Sequence, residues 1–215
     1  MAIEAEDRQE RRKQRTRATI QDAALALFAE RGYRATTMSA IAEAADVALR
    51  TVTIHFPTKA DLLFNAEPFT LESLADHLET RATDQSALST VREWMAATMH
   101  ALGTEAPEVQ RRVWQRRALR ARVISSDDEL RALARTGYYP YEQLLAIHIA
   151  RDLNQAPDSL KPRLAAITVI AGLREVYLTH EAQTALASEP TDTLMHLVDR
   201  VLNFANAGIS ATDQT

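Results

Sequence analysis

The chain has no cysteine, only five glycines and seven prolines in 215 residues, and 6% aromatic side chains. Without cysteine there are neither disulfides nor thiolate zinc sites to staple a fold, so cohesion must come from an apolar core, for which 46% hydrophobic content is ample. Few glycines and little clustering of β-branched residues argue against sheets, and the pattern reads as all-α. No uninterrupted apolar run is long enough to cross a bilayer, and no signal-peptide core follows the charged N-terminus. A cytoplasmic protein with no membrane partner is therefore expected. The six histidines show no His-x-x-x-His or Glu-x-x-His spacing, and there is no glycine-rich phosphate loop or nucleophile elbow. Neither a metal, a cofactor nor an enzymatic reaction is expected.

What is present is concentrated in residues 37 to 59, TMSAIAEAADVALRTVTIHFPTK. Met38, Ile41, Ala42 and Ala45 fall at i, i+3, i+4 and i+7, one apolar side of a short helix, and Thr36 or Thr37 is a natural N-cap. Ala45-Asp46-Val47-Ala48 follows as a tight turn with Val47 as its plug. From Leu49 to His55 a second short helix turns Val52 and Phe56 to the core and leaves Arg50, Thr51, Thr53 and His55 outward. Such a unit is a helix-turn-helix, whose second helix enters the major groove. Arg bonds guanine or phosphate, and Thr bonds a base edge or touches a thymine methyl. Thr58-Lys59-Ala60-Asp61 then reads as a capping box after Pro57, with Lys59 in a first turn suited to phosphate. Upstream, Ile20, Ala23, Ala24, Leu27 and Phe28 stripe a helix over 16–31 that stops at Gly32. The basic run Arg8, Arg11, Arg12, Lys13, Arg15 and Arg17 precedes it and is read as an arm that tracks phosphates. Net charge is −4 overall, yet residues 1–60 hold 10 Lys+Arg against 8 Asp+Glu, while the remainder holds 15 against 21. Basic charge is thus gathered where DNA would lie.

Residues 16–63 resemble the DNA-binding domain of the tetracycline-repressor (TetR) family of bacterial transcriptional regulators. The resemblance rests on Ala23-Ala24-x-x-Leu27-Phe28-Ala29-Glu30-Arg31-Gly32-Tyr33, on Thr36-Thr37-Met38 and Ile41-Ala42, and on Thr51-Val52-x-x-His55-Phe56-Pro57-x-Lys59-x-Asp61-Leu62. It implies DNA contacts at Thr37, Arg50, Thr51, Thr53, His55 and Lys59, to which the residue pattern adds Arg17 and Thr36. Two positions depart from the family: Asp46 stands where glycine is usual in the turn, and Thr53 where tyrosine is usual. Asp enters left-handed backbone more readily than most non-glycine residues, so the turn is expected to survive.

The predicted organisation is a helix-turn-helix domain over 1–60, a helical effector-binding and dimerisation domain over 61–208, and a disordered tail over 209–215. Helices are predicted near 58–81, 86–103, 107–123, 127–154, 160–183 and 191–206, with prolines at boundaries rather than inside periodic runs. Leu164, Ile167 and Ala171 mark one side of the fifth, and Leu194, Leu197, Val198, Val201 and Leu202 stripe the sixth. These helices either complete the protomer core or join a two-fold mate in a four-helix bundle; the resemblance implies the homodimer. Candidate effector-pocket residues are Trp94, Met95, Met99, Trp114, Tyr138, Tyr141, His148, Thr168, Arg174 and Tyr177, aromatic, sulfur or polar groups on inward helical faces. Arg111, Arg112, Arg116, Arg117, Arg120 and Arg122 fit either an anionic effector or a solvated face paired with Glu105, Glu108 and the 127–129 acidic run. The solvated face is the preferred reading. By the resemblance, a small-molecule effector shifts the helix starting near Thr58 and releases a palindromic operator. Two rival readings stay open: a helical protein-interaction module, which predicts no salt-sensitive DNA binding, and a regulator that activates or acts without a ligand.

Overall fold

The computed structural model describes residues 2–64, 69–178 and 190–211. Every described element is a helix: α1 (Ala2–Arg31), α2 (Met38–Ala44), α3 (Leu49–His55), α4 (Asp61–Phe64), α5 (Leu71–Thr80), α6 (Ala87–Gly103), α7 (Pro107–Ser125), α8 (Asp128–Asp152), α9 (Leu160–Leu178) and α10 (Pro190–Ala211). They form two compact units, Met1–Ala66 and Glu67–Thr215. The division falls after α4 rather than at residue 60, because α4 buries Leu62 and Leu63 and packs on α1.

In the first unit α1 presents Ile20, Ala24, Leu25, Leu27 and Phe28, and these are buried together with Ile41, Ala42, Val52 and Phe56. The helix is 30 residues long and takes in the basic run expected to be a separate arm. Arg, Gln, Lys and Glu are good helix formers, so nothing in that run interrupts it. Gly32 closes α1 with φ +83°, its N–H donating to Phe28 O at 3.0 Å. Only glycine takes that backbone without strain.

The second unit is held by two apolar clusters. One gathers Leu74, Leu78, Val91, Trp94, Leu145, Ile149, Ala166, Val169 and Val198 from α5, α6, α8, α9 and α10. The other joins Met99, Leu102, Trp114, Ala121 and Leu194. Polar ties fix the ends: Asp152 accepts from Arg81 and, at 2.6 Å, from the Ala87 backbone N–H, joining the end of α5, the start of α6 and the end of α8. Arg92 binds Asp199 through Nε and Nη2 at 2.6 and 3.1 Å, tying α6 to α10. This pairing pulls the Asp199 carboxyl below its ordinary range.

Three expectations need correcting. The helix expected over 58–81 is broken, for Thr70 has extended backbone and caps a fresh helix by accepting from the Ser73 N–H. Pro68 in the sequence already opposes helix at the residue before it. Pro140 lies inside α8 rather than at a boundary. Residues 209–211, assigned to a disordered tail, are the last of α10; 212–215 lie outside the described residues.

Candidate nucleic-acid interface

The turn between α2 and α3 is closed by backbone alone. Asp46 has φ +52°, its N–H donates to Glu43 O at 3.1 Å, and the Val47 N–H reaches Ala42 O at 3.0 Å. This paired arrangement is a Schellman ending, and it satisfies carbonyls that α2 would leave open. Thr37 caps the start of α2, its hydroxyl accepting from the Ala40 N–H. Thr58 and Asp61 exchange bonds as a capping box should: the Thr58 N–H donates to Asp61 Oδ2 at 2.8 Å, and the Asp61 N–H to Thr58 Oγ1 at 3.3 Å.

On α3, Val52 and Phe56 are fully buried and set the helix against its scaffold. Arg50, Thr53 and Ile54 are exposed, at i, i+3 and i+4 on one face, and Thr51 is half-buried beside them. The Thr53 hydroxyl donates to the Arg50 carbonyl at 3.1 Å, a bond within the helix. Ile54 is 69% exposed and Leu49 44%. Neither is among the expected contacts, which are all hydrogen-bonding side chains. The i, i+4 relation of Ile54 to Arg50 was the available signal.

Three expected contacts turn out to hold the head together. Thr36 is 2% exposed, its hydroxyl donating to Gly32 O at 2.9 Å, so it faces the interior. The Lys59 ammonium donates to Tyr33 O at 2.7 Å and Thr36 O at 3.0 Å and sits 4.2 Å over the Tyr33 ring. It clasps the loop between α1 and α2 instead of standing open to a phosphate. Arg17 reaches the His55 carbonyl at 3.0 Å and lies 4.6 Å over the Phe56 ring, capping the end of α3. His55 is half-buried and, with Arg8, Gln9, Arg12, Lys13 and Thr16, lines a basic cleft beside α1. Burial first, then Arg17 and Lys13, push its imidazole below the usual histidine range.

Residues 20–66 match the family described as bacterial regulatory proteins, tetR family, and residues 89–210, more than half of the chain, match the MftR C-terminal domain. The chain belongs to the TetR family. It is 27% identical over 177 residues to the Mycobacterium tuberculosis protein named mycofactocin biosynthesis transcriptional regulator MftR, covering 80% of this chain and 83% of that one. Over 62 residues, 29% of this chain and 28% of the relative, it is 45% identical to the HTH-type transcriptional repressor KstR of Mycolicibacterium smegmatis. Among solved structures, Thermus thermophilus FadR, a TetR-family repressor in complex with lauroyl-CoA, superposes with a TM-score of 0.51 at 18% identity, covering 89% of this chain and 94% of that one. The protein is thus a DNA-binding transcriptional regulator of the TetR family.

In the second unit of this TetR-family chain the expected pocket residues separate. Trp94 and Met95 share a cluster with Tyr138 and Tyr141, and Met99 and Trp114 share the other; Phe69 touches both. The Tyr141 hydroxyl donates to Phe69 O at 3.2 Å, and burial pushes its pKa up to about 12. His148 lies apart, buried at the α5–α8 contact with Nε2 3.4 Å from a Glu79 carboxylate oxygen, its pKa lowered chiefly by burial. Thr168 lines the groove between α9 and α10. Arg174 pairs with its neighbour Glu175 at 3.1 Å. The Tyr177 side chain lies outside the described residues.

The expected dimer residues divide as well. Leu194, Val198 and Leu202 belong to the protomer's own clusters, so they complete its core. Leu197 is also buried, at the floor of the α9–α10 groove that Val201 and Gly172 line. Ala171 is half-buried. Leu164, Ile167 and Phe204, the last 74% exposed, face outward.

Proposed function

We propose that two copies of the chain, joined through the outward faces of α9 and α10, bind a palindromic operator in the cytoplasm and repress transcription until a small-molecule effector enters the second unit. The observation that carries the DNA reading is the face of α3: Arg50, Thr53 and Ile54 exposed on a helix that Val52 and Phe56 anchor from behind. Two-fold pairing is supported by Leu164, Ile167 and Phe204, large apolar groups left in water on the last two helices. Repression is supported by the relatives named as repressors, and effector control by the FadR structure with lauroyl-CoA. An effector need only favour the state in which the two reading heads miss successive major grooves.

The test is to sequence DNA fragments retained by the purified protein. The expected product is an inverted repeat whose half-sites lie about one helical turn, or a multiple of it, apart. Binding weakens steeply as salt rises, and Arg50→Ala costs about 1–3 kcal/mol of operator affinity. No enriched sequence, or an Arg50→Ala protein that binds as before, would sink the proposal in favour of a protein-interaction module.

A further inference from the structure

The arginine series on α7 does not form the solvated face its spacing suggested. Arg111, Arg112 and Arg122 are exposed, but Arg116 and Arg117 are half-buried, and Arg120 is 3% exposed. Its Nε and Nη2 are out of water and have no hydrogen-bond partner. Two other inward guanidinium groups of the unit are matched, Arg81 by Asp152 and Arg174 by Glu175. Arginine does not shed its proton at any ordinary pH, so this burial is not relieved by neutralisation. A buried cation with no acid paired to it among the described residues is strongly unfavourable, and an anion is the group that would relieve it.

The surroundings define the rest of that ligand. The buried face of α7 consists of Trp114, Ala121, Val123 and Ile124 beside Arg120. Trp114 and Ala121 continue into the cluster of Met99, Leu102 and Leu194. The Arg117 guanidinium lies 4.5 Å over the Phe69 ring, adding a second positive charge on the same helix. An inorganic ion would leave the apolar wall unused, and a neutral lipid would leave the charge unmet. We propose that Arg120 is the anchor for the carboxylate of an apolar organic acid, which is the effector class of this regulator. The planar fork of a guanidinium fits a carboxylate through two parallel bonds, and the apolar wall takes the body of the acid. The effector assignment rests on the regulatory reading above; the anion seat does not.

The full chain decides it. In ligand-free protein, Arg120→Met is expected to raise the thermal midpoint by removing an unmatched charge; a lowered midpoint would mean that Arg120 is paired within the chain and overturns the proposal. Calorimetric titration with decanoate, dodecanoate and naphthoate, each beside its neutral alcohol, is expected to show at least one acid binding roughly tenfold or more tighter than the alcohol. Arg120→Met, or Arg120→Gln should the first variant fail to fold, abolishes that preference and spares alcohol binding. Equal binding of acids and alcohols, sulfate binding as tightly as the acids, or tight decanoyl-CoA binding indifferent to Arg120 each overturns it. Operator release is scored separately. An acid that binds through Arg120 yet leaves DNA bound upholds the seat and ends the effector assignment, whereas release only by compounds indifferent to Arg120 refutes the seat and upholds effector control.

Discussion

Ile54 shows what a single side chain can add to base reading. Its aliphatic surface is exposed on the same face as Arg50, and exposed isoleucine on a DNA-facing helix is suited to the 5-methyl group of thymine. Ile54→Ala is expected to weaken operator binding by about 1 kcal/mol, the scale of one buried methylene. Replacing operator thymines by uracil should cost the unaltered protein a similar amount and the variant nothing further. Fluorescence anisotropy on the two duplexes reads both, and strictly additive losses would show that Ile54 touches no methyl. Arg50 and Thr53 were legible as surface groups because their helical positions oppose Val52 and Phe56. The intramolecular bonds of Arg17, Thr36 and Lys59 are not legible in the sequence, for a common reason. Their acceptors are carbonyls of residues distant in sequence or inside a turn, and no side-chain pattern announces an available carbonyl.

Among elements, the turn joining α2 to α3 depends on one backbone conformation. Asp46 holds it at φ +52° where a glycine would rest without steric cost. Asp46→Gly should therefore stabilise the first unit by about 1 kcal/mol, and Asp46→Val should destabilise it by at least as much. Urea unfolding followed by circular dichroism checks both, and a destabilised glycine variant would show that the Asp side chain contributes more than the backbone it permits. Helix positions were readable because each has a local cause: Thr37, Ser86 and Asp127 cap their own helices through side-chain oxygens. Where a helix stops was less readable. The break before α5 has local causes in Thr70 and the preceding Pro68, whereas Pro140 persists within α8 although an interior proline removes a backbone donor.

For the whole molecule, the decisive distinction is between apolar residues that complete the protomer and those left for a mate. Sequence periodicity marked α10 as apolar on a broad stripe but did not say which neighbour covers it. In the fold α6 and α9 cover Val198 and Leu202, and Phe204 is left outside. Gly172 explains how closely α9 and α10 approach, since a Cβ there would stand 2.6 Å from Val201 Cγ1. Phe204→Glu should shift sedimentation equilibrium toward the monomer with the thermal midpoint little changed. Operator affinity would then fall roughly 100-fold, as the second half-site loses its tethered reader. A dimer that survives this substitution places the two-fold contact elsewhere.

The way α3 is mounted has a bearing on how such regulators diversify. Its entry is fixed by backbone bonds in the preceding turn, its exit by Arg17 on the His55 carbonyl, and its rear by Val52 and Phe56. Among the described residues, positions 50, 53 and 54 add no side-chain bond to that mounting beyond one hydroxyl bond inside the helix. They are free to vary like the bits of a key whose shank stays the same, so new promoters can be acquired by drift at three codons without a toll on folding.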